Sequence, residues 1–525
     1  MNLRRNMLIP AAALVLLVSS CNYLDVSDQL AGGLQNTDEV FENVSYTKRW
    51  YASIFTGIPD YSGLNSTNVN GFKNPWASIC DELVTGYGNA SKYNNSDKNA
   101  TNVSFHRYGD CYKAIRQANI FLQKAHVITA GGTQGDELLE PELKRYQANA
   151  RFMRAFYHYL LFEQYGPIII VGDKVYEATE SQDMSRNSVD EVVEYLDKEL
   201  LASADELSQE PIIDENYRAE PTKGVALAVR AKMWVYAASP LLNGGFNEAL
   251  NIANPDGKKL FPIADAAKWE RARQACADFI NYANENNRYE LYYAAPEKNG
   301  VVNPEKSVYE LFQKYTKEII WATATADWGG LDGDAFDRRI VPRTEQNGLG
   351  STGVTQELVD AFYMNDGLPI RGTTYLPASP QYTEEGMSTY TETNVDPIKG
   401  GKEYTPVNVS NRFINREARF YNTVFFNGRQ WPVTCNTIQF YNGGNAGQQN
   451  GQYTQTGYML FKRFNRRISK TSPGVSSRYR PSIIFRLADF YLLYAEAANE
   501  VNPNDPVVLE LSLIHISEPT RRSYI

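Results

Sequence analysis

Cys21 is the residue whose setting most directly specifies a chemistry. Arg4 and Arg5 give a short basic start, and Met7 to Val18 is an apolar run interrupted only by Pro10. Small residues then lead into the cysteine, as Val18-Ser19-Ser20-Cys21. This is the three-part layout of an export signal, too short for a spanning helix. A cysteine at the cut site matches the bacterial lipobox, in which the thiol is acylated and becomes the new N-terminus. Several acyl chains, each contributing roughly 0.8 kcal/mol per buried CH₂, make such an anchor durable. Residues 1–20 are therefore expected to be a lipoprotein signal peptide and residues 21–36 a polar linker after lipidated Cys21. The body beyond it would be tethered to the outer membrane, and Asp25 and Asp28 hint at delivery to the cell surface.

Little else carries reaction chemistry. The histidines are His106, His126, His158 and His515, and no zinc-protease, nucleophile-elbow or P-loop pattern surrounds them. Carboxylates are plentiful, so a paired general acid and base is not excluded by sequence. Leu331-Asp332-Gly333-Asp334 has part of a calcium loop's spacing, but the remaining ligands are missing and a plain turn fits it better. Cys80, Cys111, Cys276 and Cys435 show no C-x-x-C spacing. Outside the cytoplasm a disulfide among them is open, Cys80 with Cys111 being the nearer pair in sequence. No metal ligand set and no cofactor motif is read. The formal net charge of −9, with no Lys/Arg run, argues against nucleic acid and against peripheral binding to anionic lipid. The 35 tyrosines offer flat apolar faces with polar tips, which suit binding surfaces exposed to water and ordinary cores alike.

The last stretch is expected to have a different origin. Leu511-Ser512-Leu513-Ile514-His515-Ile516-Ser517-Glu518-Pro519-Thr520-Arg521 reads as the translation of a transposase-type sequencing-library adapter. The adapter's continuation would give an arginine, two index-coded residues and an isoleucine, and Arg522-Ser523-Tyr524-Ile525 follows. Residues 511–525 are thus expected to be foreign and His515 to carry no function. The apolar face of the helix before them would then be partly uncovered.

Helical periodicity dominates the elements that must position any site. Helices are predicted over Thr37–Phe55, Asp110–Ala125, Glu140–Tyr165, Thr222–Ala238, Ala266–Asn284 and Arg486–Glu500. Ser188-Val189-Asp190-Glu191 is a capping box opening a further helix to about Leu207. Ile168–Val171, Glu318–Ala322 and Thr423–Phe426 read as short extended runs. Residues 37–290 form a mainly helical N-terminal part, 291–480 a loop-rich part dominated by Gly, Asn, Thr and Tyr, and 481–510 the start of an incomplete C-terminal helix pair.

Several segments, in order, resemble the SusD/RagB family of surface nutrient-binding lipoproteins of Bacteroidota. They are Ala150-Arg151-Phe152-Met153-Arg154-Ala155-Phe156-Tyr157, running on to Gly166-Pro167; Thr222-Lys223-Gly224-Val225-Ala226-Leu227, running on to Ser239-Pro240; Trp269-Glu270-Arg271-Ala272; Thr355 to Phe362 with Asp366-Gly367; and Phe485 to Asp489, running on to Ala498. Arg416-Glu417-Ala418-Arg419-Phe420-Tyr421 is similar to the family's D-P-R-F-Y element, with Glu-Ala replacing Asp-Pro. The resemblance implies a mostly α fold, with tetratricopeptide-type helix pairs as scaffold and an irregular, loop-rich ligand-binding part carrying small β pieces. Arg151, Arg154 and Asp360 are expected to be structural.

The resemblance also implies a non-catalytic role: capture of an oligosaccharide and its delivery to a SusC-type TonB-dependent outer-membrane transporter. Peptide or glycopeptide binding within the same family is the alternative, and a helical glycoside hydrolase or lyase a more distant one. The family's site is built from loop aromatics in two regions, which here hold Trp76, Tyr87, Tyr93 and Asn94, then Tyr292, Tyr293, Trp321 and Trp328. Trp328 leads, because Gly329 and Gly330 would clear space beside its ring. Trp76 after Pro75 reads as core nearly as readily as site, and Trp321, in an apolar run, reads as core more readily than as site.

Overall fold

The computed structural model describes residues 37–62, 80–85, 106–129, 137–176, 180, 183–297, 300–323, 328–332, 335–345, 347–448 and 452–516. Its helical part comprises α1 (Thr37–Phe41), α2 (Val44–Ile54), α3 (Tyr108–Lys124), α4 (Glu140–Tyr165), α5 (Val189–Glu206), α6 (Lys223–Ala238) and α7 (Ala267–Asn284). The predicted ends hold to within about two residues for α3 to α7. The single helix predicted over Thr37–Phe55 is instead broken. Asn43 takes extended backbone angles, and its side chain accepts from the Tyr46 N–H 3.1 Å away, which starts a new helix. The Ser188 capping box is formed as read, Ser188 Oγ and the Glu191 carboxylate each accepting from the other's backbone N–H. Ile168–Val171 runs without helix but joins no strand.

Each of α3 to α7 packs on its sequence neighbours, the arrangement of a helix-pair stack. α4 is the central member, with residues from Leu143 to Phe162 buried on several faces. Ala226, Ala228, Ala231, Ala237 and Ala238 on α6 are all buried and let α5 and α7 approach closely.

After α7 the chain leaves the stack and returns to it about 200 residues later, in the excursion that runs from Tyr289 to Pro481. It passes through α8 (Pro304–Leu311) and β2 (Ile319–Thr323) and comes back along β8 (Ser482–Arg486), antiparallel to β2. Between them lie α9 (Phe336–Arg339), β3 (Thr352–Val354), α10 (Gln356–Ala361), β4 (Met387–Tyr390), β5 (Val407–Ser410), α11 (Ala418–Thr423), β6 (Val424–Phe425) and β7 (Met459–Leu460). With β1 (Leu83–Thr85), contributed from the N-terminal part, they form a four-stranded sheet in the order β1-β3-β7-β6 and a β4-β5 hairpin. This insertion has its own aromatic core, including Trp328, Phe413, Phe420, Phe425, Phe426, Trp431 and Phe461. Trp321 and Phe485, on the β2-β8 pair, face the core of the helical stack instead. β2 and β8 therefore join the two bodies.

The chain then re-enters the stack as α12 (Leu487–Val501), which packs on α7, followed by α13 (Pro506–Ile516). Leu487, Phe490 and Ala498 of α12 are buried, whereas Tyr491, Leu492, Leu493 and Tyr494 are only half-buried. α13 continues past Glu510 into the segment read as adapter translation, and Leu511 is buried. Residues 517–525 lie outside the described residues. Cys80, Cys111, Cys276 and Cys435 form no disulfide with one another. Burial pushes Cys111 and Cys276 up to about 12, so both are inert.

Candidate functional site

Cys21, Trp76, Tyr87, Tyr93 and Asn94 lie outside the described residues. The second aromatic group is described, and it does not form one platform. Trp321 sits on β2, 1 % exposed, between Phe152, Phe156 and Phe485, and its indole N–H donates to the Ala219 carbonyl at 2.9 Å. Trp328 is 2 % exposed. Its indole N–H donates to the Arg480 carbonyl at 2.7 Å, Phe336 meets it edge-on at 5.1 Å, and the Arg480 guanidinium lies 4.6 Å from its ring centroid. Neither tryptophan presents a ring to a ligand: Trp328 as the leading platform is corrected, and Trp321 leaves the candidate site for the core position that its apolar run favoured.

The reason for the Trp328 error is specific. Gly330 does clear space, with φ +67°, but a Cβ there would stand 2.2 Å from the Ser476 carbonyl oxygen. The space is occupied by the Ser476 backbone and the Ser477 side chain. Tyr292 is half-buried, donates to the Glu310 carboxylate and carries the Lys314 ammonium 5.1 Å from its ring centroid. Tyr293 beside it is half-buried too.

The structure brings a different set together next to Trp328. Tyr479 is 54 % exposed and its hydroxyl lies 3.4 Å from that of Tyr315. The Tyr315 hydroxyl also reaches the Thr323 carbonyl at the end of β2, 3.4 Å away. Arg218, on the loop between α5 and α6, lays its guanidinium 4.3 Å from the Tyr315 ring centroid. On the same loop the exposed Tyr217 ring carries Arg145 at 4.4 Å. Burial and the Tyr479 hydroxyl raise the Tyr315 phenol above its ordinary range, so it stays a neutral donor and acceptor. Half-exposed tyrosine faces beside guanidinium donors suit a ligand with apolar faces and peripheral hydroxyls. Trp328 supports this surface from below, because the carbonyl that it binds belongs to Arg480, the residue after Tyr479. Tyr315, Tyr479 and Arg218 escaped the sequence reading because nothing marks them among so many tyrosines. The nearest signal is the polar run Ser476-Ser477-Arg478-Tyr479-Arg480 directly before β8.

The family motifs are scaffold, as expected. Arg154 Nη2 is 2.8 Å from Glu199 Oε2, which Arg151 also contacts at 3.4 Å. These guanidinium partners hold the Glu199 carboxyl below its usual range against the opposing effect of burial. Asp360 pairs with Arg371 at 2.9 Å. His158 is fully buried, its Nδ1 2.8 Å from the Arg154 carbonyl and its Nε2 accepting from the Val171 N–H at 3.3 Å. That geometry fixes the neutral tautomer, and burial pushes the imidazole down to about 4. Asp332 pairs with Lys470 at 2.5 Å. Among the described residues no cluster of His, Cys, Asp and Glu is arranged to hold a metal ion, and no helix is long and apolar enough to cross a membrane.

Comparison with known proteins agrees with this architecture. The model of the SusD family matches residues 317–515, and a second model, described as starch-binding associating with outer membrane, matches residues 51–235. The chain belongs to the SusD/RagB family. Among solved structures it is similar to the protein named BT4246, with a TM-score of 0.69 at 21 % identity over 91 % of this chain and 82 % of that one. A SusD-like protein from Bacteroides fragilis NCTC 9343 matches with a TM-score of 0.61 at 18 % identity over 92 % of this chain and 80 % of that one. A laminarin-binding SusD-like protein gives 0.53 at 16 % identity over 91 % and 85 %. No curated protein matches the chain at the sequence level. At these identities the neighbours establish the SusD-like fold, mostly helical with small sheets.

Proposed function

We propose that this SusD-family chain is a lipid-anchored surface protein of the outer membrane that binds glycans and does not cleave them. It captures an oligosaccharide and passes it to a SusC-type TonB-dependent transporter. The observation that carries the reading is the tyrosine and arginine surface of Tyr479, Tyr315 and Arg218, exposed where the insertion joins the stack, in a chain of this family. Support comes also from the match to a family described as starch-binding and associating with outer membrane, and from a structural neighbour that binds laminarin. Trp76, Tyr87, Tyr93 and Asn94 stay in this proposal as candidate contacts, as do Tyr292 and Tyr293.

Binding without turnover is the decisive behaviour. Calorimetry against a panel of neutral and acidic oligosaccharides, followed by chromatography of the same mixtures, is expected to show saturable binding and unchanged ligand. Product formation would move the chain to the hydrolase or lyase class. Binding of peptides alone would move it to the peptide-binding reading. For the anchor, Cys21→Ala is expected to abolish palmitate labelling and release the protein from membranes; labelling that survives the change refutes acylation at Cys21.

A further inference from the structure

A cleft of about 460 Å³ opens between the helical stack and the insertion, apart from the tyrosine surface. Val308, Leu311 and Phe312 of α8 and its end, Leu358 and Phe362 from the region of α10, and Leu492 of α12 form apolar walls. Four cations, Arg419, Lys462, Arg463 and Arg486, line the same space, against two carboxylates, Glu82 and Asp489. Two of the cations are neutralised on the spot. Arg419 lies 2.6 Å from Glu417 and Arg486 lies 2.7 Å from Glu318. The other two are not. Among the described residues Lys462 and Arg463 form no ion pair; they rest against the Phe312 ring at 5.2 and 5.6 Å, and Arg463 makes one long bond to the Tyr61 carbonyl at 3.3 Å.

Adjacent like charges without a direct ion pair are costly in a partly dry cleft. This pair is nevertheless held in place. Arg463 has φ +68°, in the left-handed region that a non-glycine residue rarely adopts. Its carbonyl in that conformation accepts from Arg480 Nη1 at 2.7 Å, and Arg480 is itself fixed by Asp337 at 2.6 Å, both side chains fully buried. A buried ion pair thus locks a strained residue whose guanidinium lines the cleft. The same Arg480 carries the carbonyl that holds Trp328 beneath the tyrosine surface, so the two places share a wall.

We propose that the cleft takes an acidic sugar residue of the captured glycan, with Lys462 and Arg463 on its carboxylate or sulfate ester and Phe362 against its ring. The volume suits one or two sugar rings. A guanidinium beside an ammonium recognises an anionic oxygen pair more strongly than neutral hydroxyls. This inference rests on the glycan-binding reading and deepens it to acidic glycans.

The charged groups facing Lys462 are Arg463 beside it, Arg486 from the end of β8, Asp489 from α12, Glu82 from the turn before β1, and Arg419 from α11. The cleft walls crowd its ammonium and Arg486 and Arg463 repel it, which together push Lys462 down to about 8. Below that pH it is charged and attracts an anion; above it the charge is lost. Affinity for an acidic glycan should therefore fall between pH 7 and pH 9, where an exposed lysine would still be charged.

The test is calorimetry on the full chain with three probes: a set of uronate oligosaccharides (galacturonate, glucuronate and mannuronate trimers), their methyl esters, and sulfated galacto-oligosaccharides. At least one acidic set is expected to bind about tenfold or more tightly than its neutral counterpart. Lys462→Gln should remove that margin and Lys462→Arg should restore it and abolish the loss at pH 9. Melting curves of both variants should match the parent, since among the described residues the Lys462 ammonium forms no ion pair and only rests against the Phe312 ring. A uronate response alone identifies a carboxylate ligand and a sulfate response alone a sulfate ester. If neutral glycans bind and neither acidic set gains affinity, this inference fails while the general function stands. If no glycan of any kind binds, both fail.

Discussion

The helical stack and the β-rich insertion bury the same kinds of polar backbone by different means. In the stack, the helices satisfy their own N–H and C=O groups, and apolar side chains can fill the space between them. Buried arginines are few there, and Arg154 spends its hydrogen bonds on other side chains, Asn119 and Glu199. In the insertion, strands of two to five residues leave many carbonyls without ladder partners, and buried arginines supply the donors. Arg416 donates to the carbonyls of Arg412, Val359 and Phe362. Arg429 donates to those of Tyr421 and Val424, while its charge is met by Glu392 at 2.8 Å. Arg466 reaches the Thr393 carbonyl and pairs with Glu305, and Arg480 reaches the Arg463 carbonyl and pairs with Asp337. Irregular backbone is thus kept dry by side chains, and each such arginine needs a buried carboxylate or an aromatic neighbour. The difference teaches that the insertion's fold depends on polar contacts that are specific and brittle, whereas the stack depends on volume.

The comparison breaks first at Arg429. Arg429→Met leaves Glu392 buried and unpaired, and a loss of about 3–5 kcal/mol is expected. The double change Arg429→Met with Glu392→Leu should recover only part of it, because the Tyr421 and Val424 carbonyls remain orphaned at about 1–3 kcal/mol each. The corresponding pair in the stack, Arg154→Met with Glu199→Leu, should recover most of its loss, since no carbonyl depends on Arg154. Denaturant unfolding of the four variants checks this; equal recovery in both regions would remove the distinction.

Trp328→Ala is next. Truncating a buried tryptophan costs about 3–5 kcal/mol, and hydrogen exchange should show the loss concentrated in the insertion. Trp321→Ala should cost a similar amount but loosen the stack side of the β2-β8 pair. A Trp328→Ala variant with an unchanged melting temperature would contradict its placement in the core.

The stack in turn should be sensitive to mild acid through His158. Its folded pKa is depressed to about 4 from an ordinary value near 6.5. Between those values the unfolded chain takes up a proton and the folded chain does not. Stability therefore falls as the pH drops through that window, by on the order of 3 kcal/mol at its lower end. His158→Gln should flatten this slope in urea unfolding measured from pH 7 to pH 4; an unaltered slope would assign it to other groups.

How much of this was legible in the sequence follows the same division. Helices α3 to α7 and α12 could be read because their apolar spacing and their stops, Gly166-Pro167 and Ser239-Pro240, are local signals. The Ser188–Glu191 box is a local signal as well. Asn43 was also local, but its cap lies inside a continuous apolar pattern, and the break at α2 was missed for that reason. The insertion was legible only as a change of texture. Whether the space beside Trp328 holds a ligand or Ser476 and Ser477 depends on residues nearly 150 positions away, and Gly330 looks the same in either case. Tyr315, Tyr479 and Arg218 come from three distant segments, and no spacing rule joins them.

The smallest expected change in stability belongs to the most informative variant. Tyr479→Ala removes a half-exposed ring whose hydroxyl makes a single long contact with Tyr315, so the melting temperature should hold. Its effect on a stacked sugar should be a loss of about 0.5–1.5 kcal/mol beyond simple burial, roughly a twofold to tenfold weaker affinity. Calorimetry of parent and Tyr479→Ala against the glycan that the parent binds best is the direct test of the account. The account predicts weakened binding with an intact melting curve. Unchanged affinity for that glycan would contradict it and move the capture surface away from the β2-β8 junction.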